Sequence, residues 1–249
     1  MVDTHCHLDQ VEGPVGEVIA RAVGAGVRRL GAVGLNGGSI EHALAVAESH
    51  EEVVAIVGRH PNEAAGFGDA DLEEIERAGE HPRARAIGET GLDFYREGAP
   101  REDQIRAFEA QLELARRARL PVVVHTRAAE EDTFAILREH AEGLTVIVHC
   151  FSAPTRLAEC VERGYLCSFA GNVTYPRSED LRTAAREVPD ELILVETDAP
   201  YLAPQPVRGR PNEPANVVAT AERVAAERGM PYAELERLVE ANAARVFGW

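Results

Sequence analysis

The chain has no lysine: all 26 of its basic residues are arginine, set against 42 acidic ones in 249 residues. A formal charge of −16 excludes a broad basic surface for nucleic acid, because counterion release needs positive charge over the whole contact face. A nucleic-acid substrate would have to be met locally, by metal ions and a few arginines. Long apolar runs are missing too. None reaches the roughly 18 residues that span a bilayer, and the opening MVDTHCHLDQ has neither the basic nor the apolar part of a signal peptide. The expectation is a cytoplasmic protein with no membrane segment. Cysteine is scarce. Cys6, Cys150, Cys160 and Cys167 are too few to frame a disulfide scaffold, which fits a reducing compartment and small buried thiols. No G-x-G-x-x-G follows a strand-like run, so a dinucleotide fold has no motif to rest on.

What is present is an alternation. The runs Val2–Cys6, Arg29–Leu35, Val53–Gly58, Ala84–Glu89, Pro121–His125, Leu144–His149, Tyr165–Phe169 and Leu192–Glu196 read as strands, with amphipathic stretches between them. Arg101–Arg119 is the clearest helix, with Ile105, Phe108, Leu112 and Ala115 on one face. Val122–Val124 and Thr145–Val148 are apolar at nearly every position, as a parallel sheet covered by helices requires. Eight such strands in a chain of this length predict one domain over 1–249, an α/β (β/α)8 TIM barrel with its site at the C-terminal rim of the strands.

The chemistry-bearing residues stand where those strands end. In Asp3-Thr4-His5-Cys6-His7, side-chain alternation sends His5 and His7 to one face and Cys6 to the other, so thiolate ligation is not expected. Glu89 ends ARAIGE, His125 ends PVVVH, His149 ends TVIVH, and Asp198 follows LILVET. Imidazoles and carboxylates converging on a barrel rim would be costly to bury without a cation. The mixed set suits Zn²⁺ or Mn²⁺, with Mg²⁺ accommodated where carboxylate and water dominate. Six ligands exceed one tetrahedral ion and suit two ions sharing a bridge. A carboxylated lysine, the bridge in many amidohydrolase-type barrels, is excluded by composition, which leaves Glu89 on the fourth strand as the bridging carboxylate.

The motifs DTHCHLD (3–9), GRHP (58–61), GETGLDFY (88–95), LPVVVHTRAA (120–129), HCFS (149–152), ETDAPYLAP (196–204), RGRPNEP (208–214) and NAARVFG (242–248) resemble, in order and spacing, the TatD family of metal-dependent deoxyribonucleases. The resemblance covers nearly the whole chain. It implies a TIM barrel, a two-metal centre and hydrolysis of DNA phosphodiesters in the 3′→5′ direction. Carried over by position, it puts His5, His7 and Glu89 on one ion, completed by Asp198, and Glu89, His125 and His149 on the other. Two departures stand out. Ala153-Pro154 follow HCFS where the family usually has Gly, and Arg177 stands one position beyond its usual seventh-strand lysine.

The mechanism expected from these parts uses two ions roughly 3.5–4 Å apart to activate a shared water. Asp198, Glu89 and His60 are the candidate catalytic groups: Asp198 takes the water's proton, and His60 binds a phosphate oxygen or protonates the leaving group. His60, Arg127 and Arg177 are the candidate substrate contacts, the arginines by bidentate phosphate binding. Glu196 reads as a partner orienting a ligand histidine, Asp93 as a loop residue, and Tyr201 and Phe94 as rings able to stack a base. His42, His50, His81 and His140 fall on helical patterns and read as solvated. DNA is the expected partner, and the chain is read as a monomer. Two other functions remain open: hydrolysis of an amide, ester or lactone on the same barrel, and a non-catalytic metal-dependent binding protein.

Overall fold

A computed structural model describes residues 1–96 and 98–249. The described elements are, in order, β1 (Val2–Cys6), α1 (Val15–Gly24), β2 (Arg29–Gly34), α2 (Gly37–Ser49), β3 (Val53–Val57), α3 (Asp69–Gly79), β4 (Ala84–Asp93), α4 (Arg101–Ala118), β5 (Val122–Arg127), α5 (Glu130–His140), β6 (Val146–Val148), α6 (Leu157–Arg163), β7 (Leu166–Phe169), α7 (Glu179–Glu187), β8 (Ile193–Val195), α8 (Val217–Glu227) and α9 (Tyr232–Phe247). One sheet holds the strands in chain order from β1 to β8. Its described pairings are parallel, so each step needs a crossover, and helices supply them. This is the (β/α)8 barrel fold. No described helix is long and apolar enough to cross a membrane.

All eight expected strands are present, and two, β4 and β5, run past their expected ends. β4 runs on past Glu89 to Asp93, because Thr90, Gly91, Leu92 and Asp93 pair with Val124, His125, Thr126 and Arg127. Gly91 permits this. Its φ is +134°, and a Cβ there would lie 2.0 Å from the His125 carbonyl oxygen. Asp93, expected in a loop, is therefore a buried strand residue.

The chain groups into two compact units, 1–32 with 149–249, and 33–148. In the first, the segment after β8 returns to β1. Asp198 N donates to His5 O at 2.9 Å, His7 N to Ala199 O at 2.8 Å, and the Thr4 hydroxyl to Val195 O at 3.0 Å. Ile193, Leu194 and Val195 are buried, as are Val217, Ala221 and Val224 of α8 and Leu235, Val239 and Ala243 of α9. Each large aliphatic side chain so buried contributes about 1.5–3 kcal/mol. Asn242 of α9 donates to Asp190 O and Ile193 O at 2.7 and 2.9 Å, fixing the last helix against the start of β8.

In the second unit every residue of β3 is buried, as are Val122, Val123 and Val124 of β5. α2 starts at a reciprocal cap: Asn36 Oδ1 accepts from Ser39 N at 3.2 Å while Ser39 Oγ accepts from Asn36 N at 3.0 Å. α4 buries Phe108, Leu112 and Ala115 as its spacing predicts, but Ile105 is only half-buried, and Gln104 and Gln111 go in fully. Gln111 accepts from Arg59 N at 2.8 Å and donates to the Thr90 hydroxyl at 2.7 Å. That amide ties the exit of β3, where His60 stands, to β4.

Candidate metal centre

In the first unit β1 delivers His5 and His7. The segment after β8 brings Asp198 opposite them, with Oδ1 3.3 Å from His7 Nε2 and 3.9 Å from His5 Nε2. Two imidazole nitrogens and one carboxylate oxygen thus face a common point. His149, just past β6, stacks on His5 with ring centroids 4.0 Å apart. Its Nδ1 lies 2.9 Å from Glu196 Oε1, which also accepts the Cys150 N–H at 2.8 Å. With its Nδ1 proton on that carboxylate, the neutral ring keeps its Nε2 lone pair for a cation. This is the orienting role the sequence assigns to Glu196. One atom each from His5, His149 and Glu196 lie within 4.8 Å of one another.

The backbone under this cluster is held from below. Asp198 has φ +53°, the left-handed region a non-glycine residue enters at a cost. Asp3 bonds Thr197, its neighbour, through N–H and hydroxyl, and the Thr197 hydroxyl oxygen accepts Ala199 N at 3.2 Å. Asn212 Nδ2 donates to the carbonyls of Thr197 and Tyr201, binding the turn on its other side. Burial pushes the Asp3 carboxyl up to about 8, against the lowering effect of the Thr197 hydrogen bonds. For Asp198 burial also acts upward. The hydrogen bond from His7 and the fields of His149, His7 and His5 outweigh it, so this carboxyl stays below its ordinary value and ionised at neutral pH.

In the second unit His60, Glu89 and His125 converge within the same 4.8 Å limit. Glu89 Oε1 is 2.7 Å from His125 Nδ1 and 3.5 Å from His60 Nε2. His60 Nδ1 accepts the Asn62 N–H at 3.0 Å, so the neutral ring carries its proton on Nε2, the nitrogen that faces the acid. His125 Nε2 lies 3.5 Å from Asp93 Oδ2. Asp93 thus lies beside His125, at a looser approach than Glu196 makes to His149, a placement that sequence reading missed by ending β4 too early. Its Oδ1 accepts Tyr95 N and Arg96 N at 3.0 and 2.9 Å, and its Oδ2 accepts the Asn62 amide at 3.1 Å. Burial acts to raise the Asp93 carboxyl, but His125, the Arg96 N–H and the Asn62 amide hold it well below the usual carboxylate range.

The donor chemistry fits divalent cations. Imidazole nitrogens and carboxylate oxygens are gathered in both units, with His5, His7, Glu89, His149 and Glu196 buried. Glu196 Oε2 is buried with no hydrogen-bond partner among the described residues, a lone pair left over in a place where only a cation or its ligands would use it. Cys6 is not part of the donor set. It is buried, its thiol donates to Gly31 O at 3.5 Å, and burial raises it well above the ordinary thiol value.

Of the expected substrate contacts, Arg127 is exposed, lies over the Tyr95 ring at 4.0 Å, and has no carboxylate partner among the described residues. Arg177 is exposed and makes no hydrogen bond or ion pair among them. Phe94 is half-buried beneath Arg101, and the Tyr201 hydroxyl bonds Gln10 Oε1 at 2.6 Å. His42, His50, His81 and His140 are half-buried rather than solvated. His81, for one, sits 3.0 Å from Glu48.

Comparison with known proteins gives a consistent result. The model of the family described as TatD related DNase matches residues 2–248. An uncharacterized metal-dependent hydrolase, YabD of Bacillus subtilis (strain 168), is 36% identical over 251 residues, covering 99% of this chain and 98% of that protein. A protein of Salmonella typhimurium named 3'-5' ssDNA/RNA exonuclease TatD is 34% identical over 238 residues, covering 93% and 92%. The crystal structure of YjjV, a TatD homolog from Escherichia coli K12, superposes with a TM-score of 0.92 at 29% identity, covering 100% of this chain and 98% of that one.

Proposed function

The chain belongs to the TatD-related DNase family and is a metal-dependent hydrolase; on that premise we propose that it cleaves DNA phosphodiesters from the 3′ end, as one cytoplasmic catalytic domain working as a monomer. Two divalent cations, Mg²⁺, Mn²⁺ or Zn²⁺, are part of the proposal. His5, His7 and Asp198 would hold one, His125 and His149 the other, and Glu89 would serve both. When bound, the cations supply Lewis-acid activation of water and neutralise charge on the phosphoryl oxygens.

The remaining steps fall to the chain's own groups. Asp198 is ionised and turns Oδ1 toward the imidazoles, so Oδ2 is the oxygen that takes the water's proton. Its side chain is 14% exposed, enough for water to reach it. His60 carries its proton on Nε2 and donates it to a phosphate oxygen or to the leaving 3′ oxygen. Glu196 holds His149 in one tautomer, and Asp93 places its charge 3.5 Å from His125 Nε2. Arg127 and Arg177 bind phosphate oxygens.

The observation that carries the phosphodiester reading over an amide, ester or lactone is the guanidinium of Arg127. It stands two residues past His125 with no carboxylate partner among the described residues, in a chain where acids outnumber bases 42 to 26. A neutral amide or lactone has no use for that charge. The test is digestion of end-labelled DNA by metal-stripped protein re-supplied with Mg²⁺, Mn²⁺ or Zn²⁺ in turn, beside lactone and amide substrates. Metal-dependent shortening from the 3′ end is expected. Turnover of lactone or amide with DNA left intact would overturn the reading.

A further inference from the structure

Two arginines, Arg96 and Arg101, line one cavity, and Arg127 lies over Tyr95, the residue before Arg96; none of the three has a carboxylate partner among the described residues. The cavity, about 410 Å³, is lined by Asp93, Phe94, Arg96, Pro100, Arg101 and Gln104, among others. Arg96 and Arg101 are exposed, and neither has a carboxylate partner among the described residues. Elsewhere arginines are readily engaged: Arg21 with Glu213, Arg59 with Asp71 and Glu74, Arg106 with Asp103. With acids in such excess, three guanidinium groups near one another without a carboxylate partner among the described residues leave N–H donors for an anion.

Their placement is ordered. Arg127 is the cross-strand partner of Asp93, and Phe94 N donates to its carbonyl at 2.9 Å. Its guanidinium covers the Tyr95 ring at 4.0 Å, and Arg101 covers Phe94 at 4.1 Å. Stacking on a ring holds a guanidinium in place while leaving its N–H groups for an anion. Tyr95 is 67% exposed, so one face of its ring meets Arg127 and the other is open. The acid in the cavity, Asp93, is already spent on Tyr95 N, Arg96 N and the Asn62 amide, and it does not confront an incoming phosphate unneutralised.

Resting on the nuclease reading, we infer that this surface is a track for single-stranded nucleic acid beyond the scissile phosphate. A base stacks on Tyr95, and the phosphates of neighbouring nucleotides are met by Arg127, Arg96 and Arg101. An aromatic face with cations around it suits any base, since every base has a π-face. It suits only unpaired strands, because a duplex keeps its bases stacked inside. The track makes a polymer, rather than a mononucleotide or a small diester, the substrate this chain binds best.

The test uses the full chain stripped of metal, so that binding is read without cleavage. Fluorescence anisotropy compares labelled oligothymidylate of about eight residues with the dinucleotide and with a duplex, for wild type, Tyr95→Ala, Tyr95→Phe and the double variant Arg96→Gln/Arg101→Gln. Wild type is expected to prefer the long single strand. Tyr95→Ala and the double variant should each bind it roughly tenfold more weakly, Tyr95→Phe should restore most of the loss, and the double variant should show a shallower salt dependence. All three changed side chains are exposed, and circular dichroism checks that the variants fold. Wild-type binding by Tyr95→Ala and the double variant, or a duplex held as tightly as the single strand, overturns the track. Metal is then restored and cleavage scored separately. A strand bound but never cut removes the nuclease reading and leaves the track standing. Cleavage with binding unaltered in the variants removes the track alone.

Discussion

Thr197 gives both its backbone N–H and its hydroxyl to the carboxyl group of Asp3, at 2.8 and 2.6 Å. Asp3 opens the first strand and Thr197 follows the last, so one acid buttons the end of the sheet order onto its beginning. The next residue is Asp198, in the left-handed region, facing His5 and His7. Asp3→Ala leaves two buried donors of Thr197 without an acceptor, a loss of about 2–4 kcal/mol. The melting temperature should fall by on the order of 5–10 °C, and divalent-ion affinity should weaken with it. Asp3→Asn, which keeps one acceptor, should fall between. An unchanged melting curve for the alanine variant would show that the turn at Asp198 holds itself.

Glu196 and Asp93 are predicted to act through the histidines they touch. Glu196→Gln and Asp93→Asn keep the shape and remove the charge. Each should lower metal affinity roughly 10–100-fold, as loss of an orienting carboxylate does elsewhere. Competition against a chromophoric chelator reads this directly. Full affinity in both variants would mean that His149 and His125 need no orienting.

His60→Gln separates proton donation from metal holding. The Nε2–H assignment predicts a fall in kcat of about 10²–10⁴ with metal content unchanged. Elemental analysis beside kinetics decides the matter. If the variant loses an ion, His60 is a ligand rather than a proton donor.

Gly91→Ala tests the strand geometry. The new Cβ would meet the His125 carbonyl at 2.0 Å, and the backbone there has φ +134°. The pairing of β4 with β5 must open, moving Asp93 and His125 apart. Loss of soluble protein, or a folded protein with weakened metal binding, is expected; a variant that melts and binds metal like wild type would falsify the described register.

Metal itself should stabilise the fold. At an ion concentration about 100 times Kd the gain is about 2.7 kcal/mol. In a chain of this length that raises the melting temperature by on the order of 5–10 °C. Scanning calorimetry with and without chelator measures it, and identical curves would argue against any tightly held ion.

How much of this could be read beforehand depended on the range of the interaction. The strands were legible because parallel strands covered on both faces are apolar at nearly every position, as Val122–Val124 and Val146–Val148 are. The donors were legible because each follows such a run. β4 was cut short at Glu89 since Thr90, Gly91 and Asp93 are poor strand formers by composition; their pairing with β5 outweighs that preference. Gln104 and Gln111 lie outside the apolar face that the spacing of α4 marks out. They are buried because backbone groups of Asp93 and Arg59 on neighbouring segments need partners, which no local pattern announces.

Residue order alone determined the alternation of strand and helix, the absence of any lysine to bridge two cations, and which histidines and acids stand next to the apolar runs. Those follow from burial period and side-chain chemistry, both carried by neighbours in the chain. Only the folded molecule decided which acid each histidine leans on, which nitrogen keeps its proton, and which arginines stack on aromatic rings. Those outcomes depend on distances between groups far apart in sequence, and such distances come into being only when the sheet assembles.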